Sequence, residues 1–125
     1  MGIGGGMTIE SHRDLIVWQR AIDMTVAVYE LTSMLPREET YGLVAQLRRA
    51  GVSVATNIAE GYGRRSTGEY KQFLGMARGS NLELQTQLVI TRRLRLGDGK
   101  KIGQAEQLSI EVNKMLVALM KKLEK

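Results

Sequence analysis

Residues 61–66, Gly-Tyr-Gly-Arg-Arg-Ser, have the composition of a phosphate-binding loop: glycines that expose backbone amides, two arginines and a hydroxyl. In nucleotide-binding enzymes such loops follow a β-strand, and the Walker form continues into Gly-Lys-Ser/Thr. No strand-like alternation precedes Gly61, so the context that a Walker or Rossmann loop needs is missing. The stretch is better explained as a helix end followed by a helix start. Gly61 and Gly63 then occupy positions that tolerate positive φ, and Ser66 caps the next helix.

Few other residues in the chain are suited to catalysis. The one histidine, His12, lies near the N-terminus and has neither a cysteine nor an evident Ser–Asp partner for a nucleophilic triad. Glu38 and Glu39 are adjacent in a predicted turn, where carboxylates are usually solvated, and the Glu-x-x-His motif of di-iron bundles does not occur. We therefore predict a non-enzymatic protein without cofactor, metal or small-molecule substrate.

Basic residues outnumber acidic ones and gather at predicted turns. The 125 residues include 18 Lys and Arg against 13 Asp and Glu, a net charge of +5, which favours anionic partners such as RNA or DNA. Binding would be backbone-directed and salt-dependent, because few aromatics are available for stacking on the bases of a single strand. The candidate contacts are Arg48, Arg92, Arg93, Arg95, Lys100 and Lys101, here called the basic pole, with Arg64 and Arg65 at the opposite end.

Two polar stripes indicate a network between helices. Residues 49–60 place polar side chains at steps of four, four and three, and residues 80–87 do so at steps of three and four. If the two stripes meet inside a bundle, their groups must be hydrogen-bonded. We expect Arg49 to meet Glu60 or Glu83 and Asn57 to fix the register; two solvated faces are the alternative. The predicted members are Arg49, Ser53, Asn57, Glu60, Ser80 and Glu83.

The composition favours long helices around an aliphatic core. The chain has one proline, Pro36, and only 5% aromatic residues against 43% hydrophobic residues. It has no cysteine, which fits a reducing cytoplasm, and neither a signal peptide nor an apolar run long enough to cross a membrane.

Apolar periodicity predicts an all-α fold with four helices. We place them at about 14–35, 40–60, 66–96 and 101–123, within a bundle domain of residues 14–125. Asp14 caps the first helix, and Ser66 with Glu69 forms a capping box for the third. Residues 1–13 form a flexible arm, of which residues 1–6 are a leader or an expression remnant. Short turns favour an antiparallel up-down-up-down four-helix bundle.

The first helix carries two apolar seams, where a surface helix of a monomer normally has one. We therefore predict that it is buried on two sides, inside the bundle and against another subunit. A deeply seated helix in a monomer is the alternative. The subunit seam is assigned to Val17, Ala21, Met24, Val28 and Leu31. The second seam consists of Leu15, Trp18, Ile22, Val26 and Tyr29.

Several stretches resemble one known family, the four-helix-bundle proteins encoded in intervening sequences of bacterial 23S ribosomal RNA genes. The resemblance covers roughly residues 14–122. The stretches that carry it are Asp14-Leu-Ile-Val-Trp18, Leu47-Arg-Arg-Ala50, Val54-Ala-Thr-Asn-Ile-Ala-Glu-Gly61 and Ala77-Arg-Gly-Ser80 with Glu83.

Members of that family are similar to the accessory protein of diversity-generating retroelements, a pentameric barrel that binds a reverse transcriptase and nucleic acid. The resemblance implies a ring-shaped homopentamer with a basic surface, no enzymatic activity and no cofactor. It does not extend to a retroelement partner, because the closer likeness is to the ribosomal branch.

Two functions remain open from the sequence. The first is an oligomeric module whose basic pole binds RNA or DNA. The second is a protein–protein scaffold or adaptor whose charge serves only solubility.

Overall fold

The computed structural model describes residues 2–3 and 7–124, and four helices dominate this range. The helices are α1 (Ile16–Thr32), α2 (Ala45–Tyr62), α3 (Thr67–Arg93) and α4 (Gly99–Lys122). Before them, two-residue strands β1 (Gly2–Ile3) and β2 (Met7–Thr8) pair in antiparallel orientation. The predicted four-helix fold is confirmed. The predicted leader, residues 1–6, lies largely outside the described residues.

The start of α1 differs from the prediction that Asp14 caps it. Asp14 ends a short 3₁₀ turn, His12–Asp14, and its carboxylate accepts hydrogen bonds from the amides of Glu10 and Ser11 at 2.8 and 3.2 Å. The Ser11 hydroxyl accepts in return from the Arg13 amide. This capping box closes the 3₁₀ turn, and α1 begins two residues later without a side-chain cap. Part of the predicted arm is therefore a hydrogen-bonded turn that leads into the bundle.

The connection from α1 to α2 is more elaborate than a simple turn. After Pro36 the chain forms a 3₁₀ turn, Arg37–Glu39, and a π-helical turn, Thr40–Val44. Gly42 lies inside the π turn at φ −104° and ψ −107°, outside helical backbone geometry. Regular α-helix therefore begins only at Ala45, although the apolar repeat predicts a helix from residue 40.

The core lies between the four helices. Helix α1 packs on α2 and α4, and α3 packs on the same two helices. The first seam of α1 belongs to this core, because all five of its residues are at most 6% exposed within the single chain. Its assignment to a subunit interface is therefore wrong, since α2 and α4 already cover it. The residues concerned are Val17, Ala21, Met24, Val28 and Leu31.

Gly61 is a packing residue near the end of α2. A Cβ there would lie 2.8 Å from Phe73 Cβ and 3.1 Å from Tyr70 Cδ1, so α3 approaches the α2 backbone closely. Gly63 caps α2 at φ −79°, which any residue adopts, so the predicted need for positive φ at this turn is wrong.

Burial, and secondarily the Tyr62 phenol, raise the pKa of the Tyr70 phenol.

None of the helices in the described part of the chain is both long and apolar enough to cross a lipid bilayer.

Candidate nucleic-acid interface

Four cationic side chains that form no ion pair with the described residues lie in the α3–α4 turn or in the helix ends beside it. Arg93, Arg95 and Lys100 are exposed, and Lys101 is half-buried. Within residues 8–124 none of the four forms an ion pair with a carboxylate. Their charge is therefore available to an anion outside the protein, and we call them the free cations of the basic pole.

The backbone of this turn is left-handed at two residues. Arg95 has φ 58° and Gly97 has φ 71°. The Arg95 and Leu96 amides donate to the carbonyls of Arg92 and Thr91 at 3.0 and 3.1 Å, which closes the end of α3. Left-handed geometry costs a residue with a Cβ roughly 1–2 kcal/mol. Arg95 thus has a strained backbone at a position where glycine would fit without strain. Its side chain extends from a turn that is closed by backbone hydrogen bonds.

The same turn is seated on the end of α1. A Cβ on Gly97 would lie 3.0 Å from Leu31 Cδ1 and 3.2 Å from Leu35 Cδ2. Glycine is needed here for both the positive φ and the close approach. The α3–α4 turn and the residues that follow α1 therefore lie at one end of the molecule.

Asp98 caps the start of α4. Its carboxylate accepts a hydrogen bond from the Lys100 amide at 2.7 Å. A helix N-terminus attracts anions through its free amides and its dipole, but here a carboxylate of the chain already occupies that position. A phosphate at this end would therefore be bound by side chains.

Arg92 differs from the neighbouring basic residues. Its Nη2 donates to Glu106 Oε1 on α4 at 2.8 Å, and this hydrogen bond, together with the carboxylate charge, raises the pKa of the Arg92 guanidinium. The pair is exposed, so its contribution to stability is small. Glu106 largely neutralises Arg92, which makes Arg92 a weaker candidate contact than Arg93.

Arg48 is bound within the chain. Its Nε donates to Thr32 Oγ1 at 2.8 Å, and its guanidinium lies 4.3 Å from the centre of the Tyr29 ring. Both contacts join α2 to the end of α1. The structure therefore gives Arg48 a role in helix packing and separates it from the free cations.

The two arginines at the opposite end also differ from one another. Arg64 lies 3.6 Å from the Glu60 carboxylate and 4.4 Å from the centre of the Phe73 ring, and both contacts hold it against the bundle. Arg65 is exposed. Of these two arginines, Arg65 alone forms no ion pair within residues 8–124.

The predicted polar network is present in a smaller form. The hydroxyls of Ser53 on α2 and Ser80 on α3 hydrogen-bond at 2.8 Å. The Asn57 amide donates to the Ser53 carbonyl and hydroxyl at 2.9 and 3.1 Å. All three side chains are half-buried. They link α2 to α3 through one hydroxyl pair, and Asn57 supports that pair from within its own helix.

The charged members do not join this network. Glu60 pairs with Arg64 instead of Arg49, and Arg49 and Glu83 are exposed and form no ion pair within residues 8–124. The expected contact of Arg49 with Glu60 or Glu83 is therefore wrong. Arg64 follows Glu60 by four residues, just beyond the end of α2, and this local pair replaces the predicted one.

A second polar pair lies deeper and was missed by the sequence analysis. Asn81 and Ser109 are fully buried between α3 and α4. The Asn81 amide donates to the Ser109 carbonyl at 2.8 Å, and the Ser109 hydroxyl donates to Asn81 Oδ1 at 2.7 Å. This pair could have been predicted from Asn81, a polar residue between Ala77 and Leu84 at the helical spacing of buried positions in α3. Near the end of α3 Thr91 is buried, whereas Leu94, the residue that follows the helix, is 57% exposed.

The described residues offer little for small-molecule chemistry. They contain no group of three or more His, Asp or Glu side chains able to hold a metal ion. His12 packs edge-on against the Trp18 ring, with centroids 5.1 Å apart. An apolar cavity of about 320 Å³ lies between the start of α1 and the end of α4. Its polar margin consists of Asp14, already bonded to backbone amides, and Lys122, which is too little to orient a substrate.

Comparisons with known proteins agree with this helical architecture. The family described as "23S rRNA-intervening sequence protein" matches residues 13–118. A crystal structure of a protein with unknown function from the S23 ribosomal protein family of Bacteroides thetaiotaomicron superposes with a TM-score of 0.78 at 22% identity, covering 85% of this chain and 99% of the other. A comparison with curated proteins finds no match. The family match spans most of the sequence, and the chain belongs to the 23S rRNA-intervening sequence protein family.

Proposed function

We propose that this protein is a non-enzymatic, ring-forming homo-oligomer of antiparallel four-helix bundles that binds RNA or DNA through the free cations of its basic pole. The observation that carries the binding function is the concentration of Arg93, Arg95, Lys100 and Lys101 at one turn, none of them in an ion pair within residues 8–124. Four neighbouring cations that form no ion pair in this range attract a phosphate backbone without reading its sequence.

Contacts between neighbouring helices support the antiparallel arrangement. Arg48, near the start of α2, bonds Thr32 at the end of α1. Further along α2, the Gly51 carbonyl accepts at 3.0 Å from the Thr25 hydroxyl, which lies further back on α1. Successive contacts therefore run in opposite directions along the two helices, as short connections favour.

The binding proposal is tested by measuring affinity for RNA and DNA across a salt series. An electrostatic interface loses affinity linearly on logarithmic axes, with a slope of about 0.7–0.9 per phosphate neutralised. The variant Arg93→Ala/Arg95→Ala should weaken binding to all sequences alike and reduce the slope by roughly two phosphate equivalents. Electrophoretic shift or fluorescence anisotropy provides the measurement.

Lys121→Ala/Lys122→Ala is the matched control, because it removes the same charge from exposed positions in the last turn of α4. It should leave most of the affinity and the slope intact. If the two double variants lose affinity equally, the basic pole is not the binding site. If the wild-type protein binds neither RNA nor DNA at low salt, the binding function is refuted.

An exposed apolar surface supports both the ring and the second candidate function, a protein–protein scaffold. The second seam of α1 leaves Val26 and Tyr29 52% and 42% exposed, and Val52 on α2 is 44% exposed. Val26 and Tyr29 line one shallow depression, and Tyr29 and Val52 line another, so the three form one surface, here called the α1–α2 face. Apolar surface of this kind is typical of subunit contacts. We propose that the ring, most simply a pentamer as the family resemblance implies, is built through it.

A further inference from the structure

Tyr41 is the most exposed large hydrophobic side chain that the structure describes. It lies in the π-helical turn Thr40–Val44, and 95% of its surface is accessible, against 42% for Tyr29. The turn is fixed on both sides, because Arg37–Glu39 precedes it as a 3₁₀ turn and α2 follows it directly. The ring therefore extends from a turn held between helical segments, and none of the described residues packs over it.

The register between α2 and α3 locates Tyr41 relative to the basic pole. Ser53 bonds Ser80, and seven residues earlier on α2 Gln46 accepts from Gln87, seven residues later on α3, at 3.4 Å. Tyr41 lies before Gln46 on the side of α2 where that helix begins, and Arg92 and Arg93 lie after Gln87 where α3 ends. The ring and the last arginines of α3 therefore lie towards the same end of the bundle. A Cβ added to Gly97 would contact Leu31 and Leu35, which places the α3–α4 turn with Arg95 at that end as well.

Two exposed apolar residues, one in the last turn of α3 and one directly after it, lie towards the same end of the bundle. Ile90 and Leu94 are 43% and 57% exposed, although both are large and aliphatic. Ile90 lines a shallow groove between α2 and α3 together with Gln46 and Gln87. This end of the molecule therefore exposes aromatic, aliphatic and cationic side chains.

We propose that the basic pole binds an unpaired nucleic-acid strand, with a base stacked on Tyr41 and the adjoining phosphates on Arg93 and Arg95. This inference rests on the proposed function and specifies its ligand. A base offers its flat face only when it is not enclosed in a duplex, and proteins that bind single strands combine aromatic platforms with a cationic path for the backbone. The sequence predicted that too few aromatics are available for stacking on bases, but this proposal requires only one exposed ring, that of Tyr41.

The test compares a single strand of uridines, a single strand of thymidines and a duplex of equal length, all fluorescently labelled, by anisotropy at fixed salt. The wild-type protein should bind both strands more tightly than the duplex. Tyr41→Ala should weaken strand binding by roughly 5- to 150-fold, the loss expected for one stacked base, and leave duplex binding unchanged. Tyr41→Phe keeps the ring and is the matched control, expected to bind as the wild type does.

A second measurement maps the contact directly. Photo-crosslinking of a strand containing iodouridine, followed by mass spectrometry of peptides, should place the crosslink on Tyr41. Because Tyr41 is exposed, neither variant should alter the thermal unfolding midpoint.

The outcomes separate this inference from the proposed function. If the protein binds duplex and strand equally and Tyr41→Ala has no effect, the stacking proposal is overturned, while the binding function stands. Stacking would also be contradicted if Tyr41→Phe bound the strands measurably more weakly than the wild type, because that loss would come from the hydroxyl group. If none of the three probes binds at low salt, both proposals fail.

Discussion

Two polar pairs between helices differ in depth, and depth determines what each contributes. The Ser53–Ser80 pair is half-buried, so water can replace a lost partner. The Asn81–Ser109 pair is fully buried, so a lost partner leaves the remaining polar group without any hydrogen bond. The inner pair therefore constrains the register of α3 against α4 more strictly than the outer pair constrains α2 against α3.

We expect Asn81→Leu to destabilise the fold by about 1–3 kcal/mol, because it leaves the buried Ser109 hydroxyl without its acceptor. Asn57→Leu is the control and should cost less, since Asn57 is half-buried and donates only within α2. Urea unfolding followed by circular dichroism measures both. The double variant Asn81→Leu/Ser109→Ala should recover part of the loss, because it removes both polar partners. Equal losses for Asn81→Leu and Asn57→Leu would contradict the depth argument.

Among the helices, the close approach of α3 to the end of α2 depends on one glycine. Gly61→Ala would place a Cβ 2.8 Å from Phe73 Cβ, an atom fixed to the α3 backbone. We expect a loss of about 1–3 kcal/mol from overpacking, which exceeds the gain of up to about 1 kcal/mol from better helix propensity. The thermal or urea midpoint provides the measurement.

Gly79→Ala is the matched control, because Gly79 lies within α3 and a Cβ there would meet nothing within 4 Å. This variant should be stabilised by up to about 1 kcal/mol. If Gly61→Ala raises stability as Gly79→Ala does, α3 can shift enough to accommodate the added Cβ, and the overpacking argument is contradicted.

Helix starts and ends show how far local sequence determines an element. Ser66 caps α3 as predicted, with the Glu69 amide donating to its hydroxyl at 3.1 Å. Asp14 and Thr40 were wrong as starting points, because the bonds of the Ser11–Asp14 turn and the backbone of Gly42 intervene. A side-chain cap can be predicted from the residue type. The π turn depends on the φ and ψ of one glycine, Gly42, and these angles cannot be predicted from composition.

For the whole molecule, periodicity predicted four helices but not which seam of α1 faces inward. Val17 and Val26 belong to seams of similar hydrophobicity, and only the positions of α2 and α4 decide that Val17 is buried and Val26 is exposed. The candidate site was predictable to a similar degree. The cationic turn followed from the sequence, whereas the partners of Arg48 and Arg92 are distant in sequence and follow only from packing.

The α1–α2 face leads to a prediction about assembly. Val26→Lys should shift a homo-oligomer toward the 13.9 kDa monomer, because it introduces a charge into the proposed apolar contact. Native mass spectrometry provides the measurement. Met34→Lys, at a residue 57% exposed and outside the depression lined by Val26, is the control and should leave the assembly intact. A wild-type monomer, or an oligomer unaffected by Val26→Lys, would contradict the proposed interface.

The left-handed backbone of Arg95 has a consequence for how this chain responds to selection. A library randomised at residue 95 and sorted only for resistance to proteolysis should accumulate glycine, because glycine adopts φ 58° without strain. The same library sorted for retention of nucleic acid should keep arginine. The amino acid enriched at residue 95 would then show which property was selected. Resistance to proteolysis and nucleic-acid binding would favour different residues at this one position.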